Sequence, residues 1–138
     1  MAIEHLYTIL CEYLIQASDG KMSAAGIFHN IQTREFPATK DPMGLIVAFS
    51  GEEGDAFEVL LEGPGMPSGS IMGGVVPAFT GSNELEYRVQ TVAAEARPAA
   101  FREPGIYRVV LRSGDQLIHE YPFGVFGVPA EPGGDDHG

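Results

Sequence analysis

"EHLYTILCEYLIQASDGKMSAAGIF", residues 4–28, can be read as wound or as extended, and the choice decides the fold. Leu6, Ile9, Leu10, Tyr13 and Leu14 recur at the spacing of one helical face. Against a helix, no Ser, Thr, Asp or Asn caps the start, and the run ends in Asp19-Gly20 followed by a second apolar segment. Asp-Gly favours a tight hairpin turn whose positive φ angles and twist suit paired strands. The stretch therefore reads as two antiparallel strands. With Asp19 and Gly20 as a two-residue turn, Cys11 faces Phe28, Leu10 faces His29 and Glu12 faces Ile27. A one-residue slip would exchange every face.

The same grammar continues along the chain. Turn chemistry recurs at "KDPMG" (40–44), "SGEEGD" (50–55), "GPGMPSG" (63–69), "TGSN" (80–83), "REPG" (102–105) and "RSGD" (112–115), with short apolar runs between. Phe57, Val59 and Leu61 alternate with Glu58 and Glu62. Leu85, Tyr87 and Val89 alternate with Glu86, Arg88 and Gln90, and Tyr107, Val109 and Leu111 with Arg108 and Arg112. Successive side chains of a strand point to opposite faces, so each set loads one face with apolar groups. "GLIVAFS" (44–50) is apolar on both parities and reads as a central strand, whereas Gly73, Gly74 and Pro77 place the segment 71–79 on an edge. Pro122 marks a bulge or an exposed edge in the last strand. The fold expected is a single-domain antiparallel β-sandwich of seven to nine strands over residues 1–128, with a flexible acidic tail at 129–138.

Composition excludes several functions. The 138 residues suffice for one core without a disulfide or a metal. A net charge of -11 repels phosphate backbones over about 8 Å, so nucleic acid and anionic membranes are poor partners. Cys11 is the single cysteine, so no intrachain disulfide forms, and its apolar neighbours make it a small core residue rather than a nucleophile. Glu4, His5 and Glu12 interrupt the apolar start, which fits neither a secretory leader nor a membrane span, and a cytoplasmic location is expected.

Catalytic motifs are missing. "GPGMPSGS" lacks the Gly-Lys-Ser/Thr ending of a phosphate loop, and neither a GxSxG elbow nor an HExxH helix occurs. His5, His29, His119 and His137 are scattered, and a metal centre would have to gather His29, His119 and Glu120 from distant strands. Glu52, Glu53 and Asp55 crowd one loop as hard-cation ligands would, but out of the EF-hand pattern, so they read as a solvated loop tip. No cofactor is expected.

"TILCEYLI" followed by "DGKMSAAGIFHNI" and "FPA", with the closing "PGIYRVVLRSGDQLIHEYPFGV", resembles a group of small uncharacterised bacterial proteins sharing a domain of unknown function. Its members open with Cys, then Asp-Gly-Lys, then Gly-Ile/Val-Phe, and close with Gly-x-Tyr and Pro-Phe-x-Val. The segment from about 63 to 82 carries none of this likeness. The close is also similar to the last hairpin of immunoglobulin-like sandwiches, which implies that the Tyr107 hydroxyl bonds a nearby backbone group. The second cysteine and the buried tryptophan of true immunoglobulin domains are missing. These resemblances imply a scaffold and no catalytic residue.

The function expected is a non-enzymatic protein-binding or assembly module, with a protein partner or a second copy as its occupant. His29, Met66, Ile71 and Met72 are the candidate contact residues, three of them in the apolar stretch "GPGMPSGSIMGG". The competing reading is a carbohydrate- or small-molecule-binding sandwich, calcium-assisted through Glu52, Glu53 and Asp55. The lack of tryptophan platforms weighs against it.

Overall fold

The computed structural model describes residues 3–40, 42–76, 89–96 and 99–128, with 66–71, 96 and 99 described by backbone alone. The strand expected over Leu85–Val89, the turn at 80–83, Pro77 and the tail at 129–138 fall wholly or largely outside these residues. The described residues form no helix and eleven strands: β1 (Glu4–Gln16), β2 (Met22–Phe28), β3 (Asn30–Thr33), β4 (Ala38–Lys40), β5 (Met43–Ser50), β6 (Ala56–Gly63), β7 (Met66–Val75), β8 (Val89–Ala96), β9 (Ala99–Phe101), β10 (Gly105–Ser113) and β11 (Gln116–Gly127). The count exceeds the expected seven to nine because β3, β4 and β9 are only three or four residues long, too short to show alternation.

One sheet runs β2-β1-β5-β8 and the second β3-β11-β10-β6-β7, while β4 and β9 pair separately. The two larger sheets face each other across one core, as in a β-sandwich. Leu10, Leu45, Val47, Phe49 and Val92 come from the first sheet and Val59, Tyr107, Val109, Leu111, Phe123 and Val125 from the second. The expected parities of Phe57/Val59/Leu61 and Tyr107/Val109/Leu111 are those that pack in or against this core. Strand β5 is central, between β1 and β8, and β7 lies at an edge.

Three expectations need correction. First, the β1–β2 hairpin slips by one residue: Leu10 pairs with Phe28 and Cys11 with Ile27. A two-residue type I′ turn needs positive φ at Asp19, whereas among the described residues no non-glycine residue, Asp19 included, has positive φ, and in this turn Gly20 alone does, at 91°. The loop therefore has three residues, closed by the Ala17 and Lys21 backbones at 2.8 Å, with the Lys21 N–H donating to the Asp19 carboxylate at 3.1 Å. Second, the second sheet is not purely antiparallel. The chain leaves the first sheet at His29, and β3 then runs parallel to the end of β11, Asn30 opposite Gly124 and Thr33 opposite Gly127. The Asn30 side chain accepts the Gly124 N–H at 2.9 Å, fixing that junction. Third, the turn expected over "GPGMPSG" (63–69) is confined to two residues. Pro64 and Gly65 (φ 70°) make a two-residue turn with the Pro-then-positive-φ signature of type II, and β7 starts at Met66.

Tyr107 anchors the end of the core. Its ring is fully buried against Phe101 and Phe123, with centroids at 5.0 and 5.9 Å, and β9 carries Phe101 across that end. Its hydroxyl donates to the Glu103 carbonyl at 2.7 Å, with the Pro64 carbonyl 3.1 Å away. Glycine suits position 63 because a Cβ there would clash with Tyr107 ring carbons.

Candidate functional site

The outer surfaces of the two sheets differ in chemistry. On the second sheet Arg108 lies opposite Glu62 and Arg112 opposite Glu58, and the Arg112 guanidinium donates to Glu58 at 3.1 Å. These charges flank buried Val110 and Leu60, which their aliphatic stems can cover. On the first sheet the parity opposite Leu10 is mostly apolar, with Glu4 and Glu95 its charged members. Tyr7, Tyr13, Ile15 and Ile27 are 47, 49, 53 and 56% exposed, while Cys11, Ile46 and Ala48 on the same face are buried. A charge-free strand, "MSAAGIF", forms the edge at β2.

Sequence reasoning missed this face because residues 4–16 are apolar on both parities, so alternation could not say which side turns outward. Register says it: Leu10 pairs with Phe28, both packed in or against the core, so Cys11, Tyr13 and Ile15 point away. Cys11 is accordingly buried under the outer face rather than between the sheets. Burial pushes its thiol pKa up, the Glu95 charge adds to this, and a backbone hydrogen bond with Tyr13 opposes both. The thiol stays protonated and is no nucleophile.

The expected contact residues do not form one site. His29 sits exposed at the corner between β2 and β3, its Nδ1 hydrogen-bonded to the Tyr121 hydroxyl at 3.2 Å. Met72 is 42% exposed on β7, across the molecule's second sheet. Met66 and Ile71 lie on the backbone of β7, their side chains outside the described residues. At the acidic turn, Glu52 and Glu53 are exposed, and the Asp55 carboxylate accepts the Glu52 N–H at 2.8 Å, so it caps its own turn. Among the described residues no three His, Cys, Asp or Glu side chains gather as metal ligands. His29, His119 and Glu120 in particular do not.

His119 instead meets His5. Their rings stack with centroids 3.6 Å apart and planes within 6°. His5 pairs with core Phe49 and His119 with core Leu111, so both imidazoles face inward, one from each sheet. At this level β2 no longer flanks β1, and β3 joins β11 only from Gly124, so the stack closes an open lateral seam. Pro122 falls on the same unflanked part of β11, the exposed edge its missing N–H suits. His5 Nε2 is hydrogen-bonded to Thr8 Oγ1 at 2.8 Å. Burial lowers the His5 pKa, the His119 charge lowers it further, and a backbone hydrogen bond with Tyr7 works the other way.

A family of unknown function, DUF6941, matches residues 6–126, and the chain belongs to it. The match runs from Leu6 in β1 almost to the end of β11, so it spans strands of both sheets and includes His119 but not His5. No curated protein matches the chain.

Proposed function

We propose that the chain is a non-enzymatic assembly module built on an immunoglobulin-like sandwich, and that a second copy occupies the outer face of β2-β1-β5-β8. Support for the immunoglobulin-like reading is the sheet switch at His29, the parallel β3–β11 pair, and the Tyr107 hydroxyl bonded to the backbone four residues upstream.

The observation that carries the assembly reading is the exposed stripe of Tyr7, Tyr13, Ile15 and Ile27 on a face poor in charge. In a chain of net charge -11, two copies repel through most orientations, and a face whose centre is an apolar stripe, with Glu4 and Glu95 towards its ends, offers an approach that stacks few like charges. Each of the four side chains leaves on the order of 100 Å² exposed. Two copies together bury on the order of 800 Å² from these residues alone, the low end for a specific interface, which implies a weak, reversible dimer.

Sedimentation velocity across a dilution series to roughly 100 µM tests this. A concentration-dependent dimer that Tyr13→Glu and Ile27→Glu abolish supports it. A chain that stays monomeric throughout overturns self-assembly, and a dimer insensitive to both substitutions overturns the face.

A further inference from the structure

We propose that the His5–His119 stack is a proton-operated clasp, holding the two sheets together along the β1/β11 seam and releasing them when both rings are charged. The proposal stands apart from the assembly reading, because it concerns the inside of the sandwich and not its outer face.

The geometry carries it. Two imidazoles lie face to face at 3.6 Å, one contributed by each sheet, at the level where, among the described residues, neither β1 nor β11 has a further neighbouring strand. A neutral pair, or one neutral ring against one imidazolium, stacks favourably. Two imidazoliums at that separation in a half-buried site repel by several times thermal energy. The rings then part, and the closure they give the seam at this level parts with them.

The surroundings do not neutralise a doubly charged pair. On β1 the inward neighbour is Thr8, which holds His5 Nε2. On β5 and β10 the residues opposite are Phe49 and Leu111, which carry no charge. On β11 the next inward titratable group is Tyr121, engaged with His29. Glu4 and Glu120 adjoin the pair in sequence, but on the opposite parity and exposed. Among the described residues the charge that acts on His5 is that of His119. A histidine pair without a carboxylate between its members responds to acidification by separating rather than by tightening.

Hydrogen exchange of the full chain, corrected for intrinsic rates, tests the clasp. In the wild type, amides of 4–9 and 116–123 are expected to open about tenfold more readily near pH 5 than near pH 7.5, with β6 unchanged. His119→Phe and His5→Phe each keep an aromatic face and remove one charge, so either substitution abolishes that acid-induced opening. The two variants are independent, so one that fails to fold leaves the other to decide. In His119→Gln, NMR titration should show the His5 transition moving up. Seam amides that do not respond to acid in the wild type overturn the proposal. So does a response that survives both phenylalanine variants, including one that disappears in His29→Gln and thereby belongs to the His29–Tyr121 pair.

Discussion

Tyr107 donates its hydroxyl to the carbonyl of Glu103, four residues earlier, at 2.7 Å. The contact ties the turn entering β10 to a fully buried aromatic of the core, so the turn at Pro104-Gly105 and the packing of Phe101 and Phe123 depend on one phenol. Tyr107→Phe keeps the ring and leaves the carbonyl without its donor. A loss of about 1–2 kcal/mol is expected, seen as a lower urea midpoint at unchanged slope.

Gly63 lies against the face of the same ring. Gly63→Ala should destabilise by about 1–3 kcal/mol through overpacking. In a Tyr107→Leu background the added methyl has room, so the two changes should couple by about 1 kcal/mol or more in a double-mutant cycle. Additive effects would show that the glycine is required for its backbone conformation and not for the ring.

The His5 pKa is lower folded than unfolded. The unfolded chain therefore binds more protons between the folded value and the ordinary imidazole value near 6.5. Its contribution to stability is complete above about 6.5 and is lost as pH falls through the folded pKa. Denaturation midpoints measured from neutral to mildly acid pH should fall, and His5→Phe should flatten that part of the profile. A profile of the same steepness in the variant would assign the acid sensitivity to other groups.

Cys11 is buried, with its thiol pKa raised. Reaction with a disulfide reagent near pH 8 should run at least about tenfold slower in the folded chain than in urea. A folded-state rate equal to the unfolded one would mean that the outer face opens readily around Gly44 and Ile27.

Lys40 bridges Glu12 at 2.7 Å and lies over the Phe28 ring, 5.1 Å from its centroid. Both partners are partly exposed, so Lys40→Ala should lower stability by only about 1 kcal/mol, and half of that or more should vanish at high salt if the carboxylate dominates. A salt-independent loss would assign the effect to packing on Phe28.

Residues 103–127 were legible as a hairpin because Pro-Gly, Ser-Gly-Asp and the alternation of β10 mark two strands, and Val109 and Leu111 lie where their parity put them, while the bulge between Leu111 and Arg112 had no sequence signal. Residues 4–28 were legible as two strands but not in register, since Asp-Gly serves both a two-residue and a three-residue turn and only the φ of Asp19 separates them. That one-residue slip moved Ile27 from beside Glu12 to beside Cys11, and so onto an apolar outer face that the expected register did not show. The His5–His119 pair was out of reach for another reason. No local pattern encodes a contact made across two sheets by residues so far apart in the chain.

The pairing of β3 with β11 sets the order in which the molecule can be completed. Asn30 bonds Gly124 across 94 positions, and His29 bonds Tyr121 across 92, so β3 and the corner before it have no settled place until the last strand exists. Closing such long loops before any contact rewards them makes for a slow search. While the chain is being synthesised, Leu10, Phe49 and Val59 wait without their final partners, so efficient production in a cell should depend on chaperones that shield these nascent strands.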